Sequence, residues 1–229
     1  MASLRRIIKT FSASLDLGLP AITGDVLVVG SAPGSRPPSG ALDGFTLMTV
    51  NASQVLAESW GFGVPDFTII RPQIVNDRHE SIKAREVLAD RSTKIAIVAG
   101  WKEDRSAFET ILREMGYGWQ ALALVTEWQK HRVMFQTARV PSAFEIGKLN
   151  ISNGVLGAGL SLFLGASRVV MAGVSLSKDG HAYDEHITKR LHIDDDRRVL
   201  NALSKRTGKV FAAEPALAGE CGIPLWPSA

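Results

Sequence analysis

The sequence predicts an α/β fold: a mostly parallel sheet with helices on both faces. Three observations predict it. Short apolar runs such as Val26-Leu27-Val28-Val29, Ile95-Ala96-Ile97-Val98 and Val169-Val170-Met171-Ala172 read as strands buried on both sides. Helical stretches of mixed polarity separate them, the alternation of a parallel sheet. Several strands end in a small or turn-forming residue (Gly30, Asn51, Gly100, Gly173), at the carboxyl end where sheets of this class bind ligands.

In chain order, residues 1–17 place Leu4, Ile7, Ile8, Phe11 and Leu15 at helical spacing, with Arg5, Arg6 and Lys9 off that face. Such a basic amphipathic helix either lies on an anionic membrane surface or packs on its own domain. Residues 25–30 form the first strand and run into the turn Ser31-Ala32-Pro33-Gly34-Ser35. That turn has neither the G-x-G-x-x-G spacing of a dinucleotide site nor the G-K-[ST] of a phosphate loop, and Pro33, Pro37 and Pro38 oppose an immediate helix.

Residues 45–50 and 66–70 are the next strands, followed by a helix over 78–90. A strand over 94–99, a helix over 104–115 and a strand over 120–125 come next. Residues 126–148, with Trp128, His131 and Phe135, have no clean period and read as a loop with a short helix. Residues 175–192 are polar, with Gly180, Tyr183 and the histidines 181, 186 and 192, and suggest a short lid over a site. A helix over 194–206, a stop at Gly208, a strand over 209–213 and a Gly/Pro-rich tail complete the chain.

Residues 152–174 are the focus. Gly157, Ala158, Gly159 and Ser161 lie among Val155, Leu156, Leu160, Leu162, Phe163 and Leu164 in a helix that stops at Gly165. Each interior glycine costs about 1 kcal/mol against alanine, so these mark close approach of a backbone or ligand. Opening on Ser152-Asn153-Gly154, the helix presents unpaired N–H groups and the positive end of its dipole, an anion site; plain core packing is the competing reading.

Composition narrows the function. The 229 residues suit one domain over 1–229, and no linker suggests a boundary. Twenty-six basic against 23 acidic residues leave +3, without a basic stripe, which argues against a nucleic-acid binder. The single Cys221 rules out an internal disulfide. Neither a secretory leader nor a membrane span is read, so cytoplasm is the expected compartment.

No G-x-S-x-G elbow is present for a serine hydrolase, and the spacing of His181, His186 and His192 is not that of a helical zinc site. Asp194-Asp195-Asp196 invites a metal, but carboxylates at a helix start more simply cap N–H groups and complement the dipole. His192, between the polar segment and the last long helix, is the candidate general base.

Taken together, Val-Leu-Val-Val-Gly-Ser-Ala-Pro-Gly-Ser (26–35), Thr-Val-Asn (49–51), the 152–174 stretch, Gly-His-Ala-Tyr-Asp (180–184) and Leu-His (191–192) resemble the bacterial sialyltransferases of glycosyltransferase family 42. The wider group of motility-associated glycosyltransferase-like proteins is similar too. The resemblance implies a Rossmann-like, GT-A-like fold. It also implies metal-independent, inverting transfer of a nonulosonic acid (sialic acid or Kdo type) from a CMP-sugar to a cell-surface glycan or glycolipid of polysaccharide or lipopolysaccharide assembly.

By that resemblance His192 is the base and Tyr183 assists the leaving phosphate. Gly30, Ser31 and Ala32 form the cytidine-side turn, and Asn51 with Ser152, Asn153 and Gly154 contacts the nucleotide sugar. Gly173 and Val174 let the base or ribose reach the strand end. No cofactor or metal is implied; the partners are donor and acceptor, with peripheral inner-membrane contact through residues 1–17 and an oligomer compatible with the family.

The chain departs from the family at Ser31 (asparagine there), Ser177 (a second lid tyrosine), Asn150 (arginine) and Asn153 (serine), and its lid is shorter. Two other functions remain open at this stage: a divalent-ion-dependent nucleotide-using enzyme, in which Asp194–Asp196 would matter, and a non-catalytic CMP-binding module.

Overall fold

The computed structural model describes residues 9–40, 42–102, 104–140, 149–186, 189 and 191–227. Seven strands form one sheet: β1 (Asp25–Val29), β2 (Thr46–Val50), β3 (Phe67–Ile70), β4 (Ser92–Ala99), β5 (Gly118–Val125), β6 (Arg168–Ala172) and β7 (Val210–Ala212). Their spatial order is β5-β4-β3-β2-β1-β6-β7, and every pairing is parallel. The chain therefore builds outward from β1 in one direction, then returns to place β6 on its other side. The crevice between β1 and β6 is the topological switch point, where open α/β sheets bind ligands.

Helices that lie wholly among the described residues flank the sheet: α1 (Gln54–Ser59), α2 (His79–Leu88), α3 (Arg105–Glu114), α4 (Glu127–Ala138), α5 (Asn153–Phe163), α6 (Ile193–Thr207) and α7 (Pro215–Cys221). Strand alternation sends side chains to both faces. Val26, Val28, Met48, Ile69 and Ile97 face a core shared with α4, α5 and α6. On the opposite face Ile70, Ala96 and Val98 pack with α2 and α3, while Leu27, Val29 and Val170 pack with Ala57 of α1 and Trp226 of the tail.

Several segments take shapes that periodicity does not reveal. Residues 127–138 form a full helix, started by a capping box in which Thr126 Oγ1 accepts from Gln129 N (3.2 Å) and Gln129 Oε1 accepts from Thr126 N (2.8 Å). Its pattern is obscured because His131 is buried along with Val133, Met134 and Phe135. Residues 139–140 continue from it, whereas 141–148 lie outside the described residues. The Gly/Pro-rich tail contains α7, begun by Pro215 at its first turn and ended by Gly222 at φ +62°.

Of the N-terminal stretch, residues 1–8 lie outside the described residues and 9–12 are helical. Phe11 is buried, edge-on to Trp128 (4.5 Å between centroids) and Phe135 (5.7 Å). Gln136 Nε2 donates to the carbonyls of Phe11 (2.8 Å) and Ala13 (2.9 Å). The described part of this helix is thus packed on α4. No helix among the described residues is long and apolar enough to cross a membrane.

Candidate active site

The cleft begins at the glycine pair where β1 and β6 end. Gly30 N donates to Ala172 O and Ala32 N to Gly173 O, each at 2.8 Å. A Cβ on either glycine would run into the other's carbonyl oxygen, and Gly173 also sits at φ +66°. The pair is therefore required by the approach of two backbones at the switch point. The immediate neighbour of Gly173 is the Gly30 backbone.

Around this pair opens a cleft of ≈ 530 Å³. Gly30, Ser31 and Ala32 from the first turn, Asn51 from the end of β2, and Gly173 with Val174 from the end of β6 all border it. So do Ser152, Asn153 and Gly154 at the start of α5, and His192 at the start of α6. These residues come from five places in the sequence and meet because the parallel strands end on one edge.

The start of α5 borders the cleft. Ser152 caps it, its Oγ accepting from Val155 N at 3.4 Å. The first turn carries no acidic residue, and the geometry of a helix leaves the N–H groups of Asn153 and Gly154 without an internal carbonyl. Asn153 Nδ2 donates to Asn51 Oδ1 (3.0 Å), which also accepts from Arg71 N (3.0 Å). Asn51 holds this position with φ +51°, a left-handed conformation that asparagine tolerates. The departure at Asn153 thus joins the ends of β2 and β3 to α5.

The remaining glycines of α5 answer the question of core or ligand separately. Gly157 lets the helix lie on Val28, Met48 and Ile69 of the sheet, and Gly159 faces Met134 of α4. Those two serve packing; only the first turn faces the cleft.

The aspartate run at α6 is engaged internally. Asp195 Oδ2 accepts from Asn150 N and Asp196 Oδ1 from Ser152 N, both at 2.8 Å. Asp195 also pairs with Arg198, and Asp194 with Arg197 at 3.3 Å. The carboxylates hold the backbone that leads into α5. Among the described residues no cluster of histidine, cysteine, aspartate or glutamate is arranged to hold a metal ion.

Two histidines border the cleft. His192 is half-buried at the N-cap of α6, with a buried Nδ1. His181 was named in the polar segment without a role. Its Nδ1 lies 2.8 Å from Ser31 Oγ, and its ring stacks on Tyr183 (5.0 Å, 4° between planes). Ala182 N donates to Ser31 O (2.7 Å) and Lys178 Nζ to Pro33 O (2.9 Å), so the polar segment lies against the first turn.

Tyr183 borders an adjoining depression with His79, Asp184 and His186, and reaches the main cleft through Ser31. Burial pushes its hydroxyl up to about 12, with Arg71 and Ser31 opposing that rise. The phenol is a donor at neutral pH.

The tail supports the segment after β6. Glu214 Oε1 accepts from Gly173 N and Glu220 Oε2 from Leu176 N, both at 3.0 Å. Burial raises the Glu214 carboxyl above its ordinary range, against the Gly173 N–H. Cys221 is buried in the core, and burial pushes its thiol up to about 12, which disfavours the thiolate.

Sequence reading missed the charged wall. Arg71, Lys130, Lys189 and Glu127 border the cleft, three cations to one carboxylate. Lys130 is paired with Glu127 at 3.0 Å. Arg71 follows β3 directly, where a charged residue after an apolar run was the only available signal.

No protein-family model matches the sequence, and no curated protein matches it. Solved structures do match the fold. The monofunctional α-2,3-sialyltransferase Cst-I from Campylobacter jejuni superposes with a TM-score of 0.61 at 11% identity, covering 94% of this chain and 85% of that one. The sialyltransferase CstII from Campylobacter jejuni in complex with CMP-3FNeuAc gives 0.56 at 13% identity, over 90% and 87%. CST-II in complex with a trisaccharide acceptor and CMP gives 0.59 at 14%, over 89% and 86%. The chain shares the sialyltransferase fold over most of its length.

Proposed function

We propose that the chain is a glycosyltransferase that moves a nonulosonic acid, of sialic acid or Kdo type, from a CMP-sugar to a glycan acceptor. One observation carries the reading. The start of α5, without an acid in its first turn, opens into a cation-rich cleft at the switch point of a fold whose solved examples bind CMP. Helix-start N–H groups and nearby hydroxyl donors suit a phosphate that becomes more anionic as its bond to the sugar breaks.

In this reading the donor lies across the β1–β6 crevice. The cytidine sits at the Ser31-Ala32 turn, and Asn51, Ser152, Asn153 and Gly154 contact the nucleotide sugar. His192 takes the proton from the acceptor hydroxyl as that oxygen attacks the anomeric carbon, while CMP departs from the opposite face with inversion. Backbone N–H groups and cationic side chains balance the leaving phosphate, the role a metal ion fills in other transferases. Tyr183, protonated at neutral pH, acts as a positioning residue on Ser31 and His181.

A thermal-shift series with CMP, UDP and GDP, run without divalent ions, tests the nucleotide. CMP should stabilise selectively, by about 2.7 kcal/mol at a hundred times its Kd. His192→Ala should lower transfer by roughly 10²–10⁴ and leave CMP binding intact. Selective stabilisation by UDP or GDP, or full transfer by the alanine variant, would sink the proposal. Strict magnesium dependence would favour the divalent-ion enzyme, and CMP binding with no turnover of any CMP-sugar would favour the binding module.

A further inference from the structure

Lys130 has Glu127 at 3.0 Å. On the charged wall, Arg71 has no acidic partner among the described residues. Its guanidinium makes a single hydrogen bond among them, Nη2 to Ser81 Oγ at 3.3 Å, and its buried Nε has no partner. A buried guanidinium N–H without an acceptor is costly, and an oxyanion at the fork removes that cost.

Its position is fixed from two sides. Arg71 N donates to Asn51 Oδ1 at 3.0 Å, the atom that also accepts from Asn153 Nδ2. Ser81 Oγ, which receives the guanidinium, itself donates to Gln73 O at 2.8 Å, so its remaining acceptor capacity is turned to Arg71. The backbone of Arg71 is thus joined through Asn51 to the first residue of α5, whose N–H groups face the same cleft. A planar five-donor fork beside a helix N-terminus suits one oxyanion held from two directions.

We propose that Arg71 is the donor-anion clamp of this site, binding an oxyanion of the nucleotide sugar together with the start of α5. The inference rests on the CMP-sugar reading above. Two groups of such a donor share the required chemistry, the phosphate of CMP and the carboxylate of the nonulosonic acid.

Isothermal titration of wild type, Arg71→Gln and Arg71→Lys with cytidine, CMP and a non-hydrolysable CMP-nonulosonic acid tests it. Circular dichroism and thermal unfolding of the ligand-free variants establish that they fold. If the phosphate is bound, Arg71→Gln weakens CMP by roughly ten- to a hundredfold and leaves cytidine unchanged. If the carboxylate is bound, CMP is unchanged and only the CMP-sugar analogue weakens by that factor. In both cases Arg71→Lys recovers part of the loss, because it keeps the charge and loses the fork. Equal affinities of wild type and Arg71→Gln for CMP and for the analogue overturn the clamp while leaving the CMP-sugar reading standing. Failure of wild type to bind CMP or the analogue overturns both.

Discussion

Two helices, α5 and α6, begin at the same cleft and use the same electrostatics in opposite ways. The sequence of α6 compensates its own dipole: Asp194, Asp195 and Asp196 fill the first turn, and Lys205 and Arg206 the last. Neither end of α5 carries a charge of the compensating sign. The two starts are also coupled. Asp195 and Asp196 take up the N–H groups of Asn150 and Ser152, fixing the chain as it enters α5. What remains at the α5 start is the pair of N–H groups on Asn153 and Gly154, beside Asn51 and facing the cleft. The surroundings hold the start of α5 in place without neutralising it.

The strongest way to break this contrast is to give α5 the charge that α6 has. Asn153→Asp places a carboxylate in the first turn and replaces the amide donor to Asn51 Oδ1. CMP affinity should fall by roughly a few hundredfold, measured by titration calorimetry, since a like charge a few ångströms away costs on the order of 3–4 kcal/mol. Unchanged affinity would mean that the start of α5 is not the anion site.

Next comes the coupling. Asp196→Ala removes a fully buried carboxylate from Ser152 N. Urea unfolding should show a loss of roughly 2–4 kcal/mol, because a buried donor is left without its acceptor. A loss under about 0.5 kcal/mol, within the range of an ordinary surface substitution, would show that the two starts are independent. Ser152→Ala deletes only the cap on Val155 N and should cost about 1 kcal/mol in the same assay.

Alkali should disturb the contrast least. The chain has two tyrosines, and burial pushes the hydroxyls of both Tyr117 and Tyr183 up to about 12. The fold holds the protonated form more tightly than the unfolded chain does. Their contribution to stability is therefore complete below the free-tyrosine value of about 10 and is lost as pH rises through about 12. Tyrosinate absorbance of the native protein should stay flat through pH 10; a native titration near 10 would show that at least one of the two hydroxyls is not shielded by the fold.

Particular residues show how far the sequence could be read. Val26 to Val29 and Val169 to Ala172 announced buried strands, because composition and burial coincide in a central parallel strand. The helix over 127–138 was obscured because its buried face includes His131, which carries no apolar signal. At the site, Gly30, Asn51, Ser152 to Gly154, Gly173 and His192 were readable from their places at strand ends and helix starts, and all border the cleft. Arg71 and His181 were not readable as its neighbours. Their significance lies in Asn51, Ser81, Ser31 and Tyr183, which are distant in sequence or reached by a fold-back of the chain.

By itself, then, the sequence determined the parallel α/β class, the glycine-rich helix that opens on Ser-Asn-Gly, and the set of strand-end residues from which a site would be drawn. Those follow from interactions between residues a few positions apart, which periodicity and turn chemistry record. Only the tertiary structure decided that Gly30 and Gly173 serve each other, that Gly157 and Gly159 serve packing, and that Asp195 and Asp196 brace the entry to α5. It also decided that, among the described residues, Arg71 meets no carboxylate on the cleft wall while Lys130 is paired with Glu127. The physical reason is the order of the strands: placing β6 beside β1 brings together residues more than a hundred positions apart, and no local pattern encodes which of them will meet.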